Sequence, residues 1–260
     1  QAIELNAAAV EQNRQAFLWG RRAAHDPEAL QNLLKPAGTP APQRLSQNLD
    51  ELVRQHVETL TAYQNARYAE RYRALVERVR AAESSWQSTA LSEAVARSYF
   101  RLLAVKDEYE VARLHSDPAF LQQLSEEFEG DYSLRFHLAP PLLARLDPAT
   151  GRVRKSSYGP WMMSVFKGLS RLRFLRGTIF DPFGKTRERR MERQLLADYE
   201  ADVELMLAQL QEKTQAIAIE LAKVPEQIRG YGHVKAASVL PARARRATLR
   251  AQLEALANAS

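Results

Sequence analysis

Five histidines are the first side chains to weigh for chemistry: His25, His56, His115, His137 and His233. None has a second histidine or a carboxylate at a clear metal-ligand spacing, such as two histidines at i and i+4, so no metal site is expected. His137 stands in the strand-like run FHLAPP beside Leu138, which predicts a buried, hydrogen-bonded ring. Lys106, in KDEYE, is placed by helical spacing beside Val95, Tyr99, Leu102 and Tyr109. An ammonium near an apolar stripe can be a catalytic amine, but buried charge needs a partner. Asp107, Glu110, Glu129 and Asp131 are the candidates. The preferred reading is an ion pair with a packed aliphatic stem. The alternative is an enzyme site built around Lys106, Asp131 and His137. The acids Glu126, Glu127, Glu129 and Asp131 lack the ligand spacing and the glycine of a calcium loop, and read as a solvated helix end.

A second chemical feature is charge. The net charge is +6, and from Arg152 to Arg193 twelve Lys or Arg stand against three acids, Asp181, Glu188 and Glu192. Arg171, Arg173, Arg176, Arg189 and Arg190 are its centre. In RERRMER, Glu188 and Glu192 are four apart, as are Arg189 and Arg193, so one helical face can be laced with ion pairs. The other reading is a patch for an anionic partner: nucleic acid, a phosphate group or an acidic protein. The nearby aromatics, Tyr158, Trp161, Phe166, Phe174, Phe180 and Phe183, fall mostly at core-like spacing, so nucleic acid is not expected.

The familiar signatures of phosphate, dinucleotide, serine-nucleophile and zinc-protease chemistry (GxGxxG, the P-loop, GxSxG and HExxH) are absent from the sequence, and cysteine is absent too. Disulfides, thiolate metal sites and cysteine-held iron–sulfur clusters are therefore excluded within these 260 residues. No apolar run approaches the roughly 18 residues that cross a bilayer, and no leader peptide is legible. The expected compartment is cytoplasmic, with no membrane partner. The chain opens on Gln1 inside a helical pattern with no cap ahead of it, which reads as a fragment of something longer.

The elements that must position these residues are mostly helices. Apolar residues recur at helical spacing over 2–24, 46–84, 91–115, 161–176, 186–211, 213–223 and 242–256, with Ser46 as the cap expected for the second. The run KPAGTPAPQR, ending at Arg44, is a loop over 35–45. Asp117-Pro118 starts a short helix. Over 132–158 the period changes: Tyr132, Leu134, Phe136 and Leu138 alternate with polar residues, Pro140-Pro141 forces a corner, and DPATG forms a turn. The predicted fold is mainly α, a single multi-helix domain over 1–260 with a long antiparallel helical hairpin and one small β-hairpin inserted at 132–158.

Long stretches are similar to one known family. AIELNAAAVEQNRQAFLWGR, LTAYQNARYAERYRALVERVRAAE, KDEYEVARLHSDPAF, FEGDYSLRFHLAPPLLARLDPATG, GPWM, RGTIFDPFG, ERRMERQLLADYE and VPEQIRGYGHVK together resemble the C-terminal region of bacterial indolepyruvate ferredoxin oxidoreductases. These occur as a fused chain or a separate smaller subunit. The resemblance covers nearly the whole chain, and its opening run, 1–24, looks like the tail of a preceding gamma-type domain. It implies an accessory or assembly region of an enzyme that oxidatively decarboxylates an aryl 2-oxoacid. By the same resemblance the parent uses thiamine diphosphate, an iron–sulfur cluster and coenzyme A, and passes electrons to ferredoxin. The thiamine diphosphate motif is missing here, so the cofactors are expected elsewhere in the parent and the chain alone is expected to be inactive. The implied partners are the remaining domains or subunit of the parent and ferredoxin. The alternative is a stand-alone helical binding module for an acidic protein.

Overall fold

The computed structural model describes residues 9–28, 48–86, 88–128, 130, 132–138, 145–146, 153–154 and 156–259. Asp131, Glu129, Arg152, Lys155, the 35–45 loop and the Pro140-Pro141 corner lie outside them. The chain divides into two compact units, Gln1–Leu45 and Ser46–Ser260. The first contains helix α1, Val10–His25. Phe17, Leu18 and Trp19 on it are exposed, and the Arg22 guanidinium lies 5.3 Å from the Trp19 ring centre.

The second unit is mainly α, with strands among the described residues confined to one small β-hairpin. The helix expected over 46–84 is two helices. Helix α2, Leu49–Tyr63, is capped by Asn48, not Ser46, whose side chain accepts from the Glu51 N–H. Helix α3, Ala66–Glu83, is capped in the same way by Asn65, which accepts from the Tyr68 N–H. Asn competes with helix continuation by offering its own amide to the backbone. The break lets α2 and α3 pack on each other, burying Leu60 and Tyr63 with Ala69, Tyr72 and Val76.

Helix α4, Ala90–Leu103, follows a short link and packs on α3 as the expected hairpin. The helix expected to run to His115 also breaks. Asp107 caps α5, Glu108–His115, by accepting from the Glu110 N–H. Lys106 therefore lies in a non-helical link and not on the face of Val95 and Tyr99. Asp117 caps α6, Pro118–Glu127, with proline in its first turn.

In the hairpin, β1 (Phe136–Leu138) pairs antiparallel with β4 (Ser156–Tyr158), Phe136 opposite Tyr158. Inside it β2 (Arg145–Leu146) pairs with β3 (Val153–Arg154). Alternation buries Phe136 and leaves His137 exposed, so the expectation of a buried His137 is corrected. The period-2 pattern was right, and the residue that uses the inward position is its neighbour.

Helix α7, Met162–Arg171, continues as a short 3₁₀ turn, Leu172–Leu175. Helix α8 is Arg187–Ala208, capped by Thr186, and α9 is Gln215–Ala222. A 3₁₀ turn, Val224–Gln227, leads to Gly230 and Gly232, both with positive φ. Helix α10, Gly232–Asn258, starts well before the expected Ala242 and carries Pro241 inside it. Val239, Ala242, Leu249 and Leu253 are all buried. Burial of that stripe on both sides of the proline offsets the lost hydrogen bond.

The main core is shared by α2, α3, α4, α8, α9 and α10. A satellite core joins α5, α7 and the hairpin through Ala112, Phe136, Met162 and Phe166.

Candidate functional site

Where the satellite meets the main core, Arg176 and Asp107 form a buried ion pair. The Arg176 Nε donates to Asp107 Oδ2 at 2.5 Å, its Nη2 to Oδ1 at 2.9 Å, and its Nη1 to the Tyr63 carbonyl at 2.6 Å. The guanidinium stacks 3.7 Å from the Tyr63 ring centre and 5.5 Å from that of Tyr109. The two charged side chains are 11% and 5% exposed. A planar fork both grips a carboxylate bidentately and stacks on a ring, which lysine cannot do. Asp107 reaches this position because it is also the cap of α5. Arg176 reaches it because the 3₁₀ turn after α7 ends there, followed by Gly177 at φ +74.

The next shell extends the clamp. The Tyr109 hydroxyl donates to Asp181 Oδ1 at 3.2 Å, and Asp181 accepts the N–H groups of Gly177 and Phe183. Arg173 Nη1 donates to the Ala62 carbonyl. Arg189 pairs with Glu192, sits 3.7 Å from Glu108 and donates to the Lys106 carbonyl. Glu192 also takes the Lys235 ammonium at 2.6 Å. Burial, and then the Asp107 charge, push the Tyr63 hydroxyl far above its ordinary pKa. Burial and the Asp181 charge do the same to Tyr109.

A cleft of about 200 Å³ opens here, lined by Tyr63, Tyr109, Arg176, Asp181 and Glu108 among others. Among the described residues lining it, Glu108 Oε2 is buried without a hydrogen bond. Burial raises the pKa of that carboxyl against the pull of Arg189.

The residues singled out by sequence thus have separate fates. Arg173, Arg176 and Arg189 converge on this junction. Lys106 contributes its carbonyl, while its exposed ammonium stands 5.3 Å from the Tyr231 ring centre. Arg171 and Arg190 are exposed, and His137 is exposed on β1. Asp107, a candidate partner for Lys106, pairs with Arg176 instead, Asp181 reads in the sequence only as an acid of the basic run, and Tyr63 is not singled out there. The legible signal was Asp107 with Glu110 three residues on, a cap pattern that ends one helix and starts the next.

Beside the junction, α7 carries apolar residues on two faces. Met162 and Phe166 are buried against α5 and β1. On the other face Trp161, Val165 and Leu172 are 60%, 44% and 42% exposed. Phe174, Ile179 and Phe180, just beyond, are 62%, 82% and 73% exposed. Arg171 borders the α7 stripe by helical spacing, and Lys167, farther round the helix, is also exposed. A surface helix normally hides one stripe and solvates the other; here, among the described residues, the outward face of α7 is an exposed apolar stripe.

His56 offers a separate ionisable group. Its Nδ1 lies 2.8 Å from the Tyr72 hydroxyl, and its ring stacks on Phe100 at 3.8 Å. Burial, with the Arg97 charge, lowers its pKa to about 4. A histidine held neutral when folded takes up its proton in the unfolded chain first. Stability should therefore fall as pH drops from about 6.5 toward 4, then level off. A proton NMR titration of the His56 ring should show a midpoint near 4; a midpoint at the ordinary 6.5 would contradict the burial.

Among the described residues no group of three or more histidines and acids could hold a metal ion, and no helix is long and apolar enough to cross a membrane. A protein-family model described as "Family of unknown function (DUF6537)" matches residues 49–248. No curated protein and no solved structure matches the chain.

Proposed function

The chain belongs to the family of unknown function DUF6537, and we propose that it is a helical accessory module of an aryl 2-oxoacid:ferredoxin oxidoreductase. In this reading the outward face of α7 seats against the remaining domains or subunit of the parent. The parent decarboxylates indolepyruvate or a related 2-oxoacid in the cytoplasm, with thiamine diphosphate, an iron–sulfur cluster and coenzyme A bound outside this chain. The observation that carries an interaction role is the apolar stretch of Trp161, Phe174, Ile179 and Phe180, each at least 60% exposed. The oxidoreductase assignment rests on the sequence resemblance.

Ferredoxin docking, if it uses this chain, falls to its exposed basic residues. Arg176 and Arg173 are committed to Asp107 and the Ala62 carbonyl, which leaves Lys167, Arg171, Lys185, Arg187 and Arg190 outward. The exposed Lys167 and Arg171 on the same helix also favour a second reading, a module that docks an acidic protein outside any oxidoreductase.

The intact reading frame separates the two, since the first requires a gamma-type domain and a thiamine diphosphate domain in the same or an adjacent gene. In the intact enzyme, Trp161→Ser with Ile179→Ser and Phe180→Ser should weaken association of the catalytic part by at least roughly a hundredfold, as loss of a buried aromatic cluster does. The thermal midpoint of the chain alone should not change. Unaltered assembly and indolepyruvate oxidation in that triple variant would sink the proposal.

A further inference from the structure

A second cleft lies along the C-terminal half of α4. It has a volume of about 580 Å³ and is lined by His56, Arg97, Phe100, Arg101, Glu226 and Arg229. Arg97 and Arg101 are one helical turn apart on α4. Arg229 comes from the segment after the 3₁₀ turn Val224–Gln227, which packs on α4.

Many arginines among the described residues are paired. Arg71 holds Glu200, Arg78 holds Glu204, Arg80 holds Asp50, Arg113 holds Glu110, and Arg246 and Arg250 share Asp202. The guanidinium groups of Arg97, Arg101 and Arg229, like those of the exposed Arg171, Arg187 and Arg190, have no hydrogen bond or ion pair among the described residues, but these three line one cleft. They remain unpaired although Glu226 lines the same cleft. Three unpaired forks reaching one concavity from two elements make a site of strong positive potential.

We propose that this cleft binds the phosphoryl group of a small molecule. One guanidinium satisfies a carboxylate bidentately, whereas three suit the several oxygens of a tetrahedral phosphoryl group. The cleft volume is in the range of sites for small ligands, and it is bounded by the His56–Phe100 stack, an apolar wall for the body of such a molecule. His56 is held neutral with Nδ1 engaged by Tyr72, so its ring adds surface without charge. Glu226 is the one carboxylate among the lining residues and opposes the anion. The proposal does not depend on the oxidoreductase reading.

The test uses the whole chain at pH 7.5 with inorganic pyrophosphate as probe, and sodium chloride at matched ionic strength as control. Calorimetry should detect saturable binding of pyrophosphate, with weaker binding of inorganic phosphate. Arg101→Gln and Arg229→Gln, both exposed positions, should each weaken it about tenfold, the loss expected for hydrogen bonds to a charged group. Glu226→Gln should tighten it. Arg171→Gln, an exposed arginine elsewhere, should leave it unchanged. The His56 ring signals should shift on saturation. Binding no stronger than that of chloride, an equal loss in Arg171→Gln, or weaker binding in Glu226→Gln would each overturn the proposal. Binding of pyrophosphate with the His56 signals unmoved would also overturn it, by placing the anion elsewhere.

Discussion

Asp107→Ala should destabilise the protein by about 4 kcal/mol, because removing one partner of a buried ion pair strands the other charge. The Arg176 side chain is only 11% exposed, so water cannot replace the carboxylate without opening the junction. The same substitution removes the cap of α5, which alone contributes about 1 kcal/mol. It also frees the Tyr63 hydroxyl from one side. The expected signature is coupling. Asp107→Leu combined with Arg176→Met should recover most of the loss, since an apolar pair of similar size carries no desolvation cost. Urea unfolding of the two single variants and the double variant gives the cycle. If the single variants lost less than about 1 kcal/mol, or if the losses simply added, the pair would not be the link between the two cores.

Glu83→Ala should cost about 3 kcal/mol through a different mechanism. Glu83 is completely buried at the end of α3. Its carboxylate accepts the N–H groups of Leu91 and Ser92 at 2.8 Å each, and the Ser92 hydroxyl at 2.6 Å. These are first-turn donors of α4, which no carbonyl within the helix can reach. A negative charge there also meets the positive end of the helix dipole. Truncation leaves two buried donors without partners. Glu83→Gln keeps one acceptor oxygen and should lose about half as much. Hydrogen exchange at Leu91 and Ser92 should rise in the alanine variant before the rest of α4 opens. Unchanged protection at those two amides would show that the carboxylate is dispensable.

Both groups bear on the proposed sites through position. Glu83 fixes where α4 begins, and α4 carries Arg97 and Arg101 into the second cleft. Asp107 and Arg176 fix the exit of α7 and its 3₁₀ turn, and so where Ile179 and Phe180 follow. Neither needs to touch a ligand to matter for one.

Much of the local structure was legible in the residues. Helical periodicity located the helical stretches though not their breaks, alternation over Tyr132–Leu138 located the hairpin, and Asp117-Pro118 located the start of α6. The helix boundaries were less legible. Asn65 and Asp107 are caps only if the chain turns there, and the apolar period runs through both positions. What makes them caps is that α2 can then pack on α3 and that Asp107 meets Arg176, and both depend on residues distant in sequence. The same holds at Pro241, where the isolated sequence says stop and the buried stripe from Val239 to Leu253 says continue.

Charge shows the division most clearly. Composition alone established a basic stretch from Arg152 to Arg193 and no cysteine chemistry. Which arginines are spent inside and which remain for a partner was decided by tertiary structure. Arg176, Arg173 and Arg189 differ little in sequence context from Arg171 and Arg190, and nothing in the spacing around Arg97 and Arg101 sets them apart. A guanidinium's role depends on whether an acceptor from another segment arrives within hydrogen-bonding distance, and spacing along one chain segment carries no information about that.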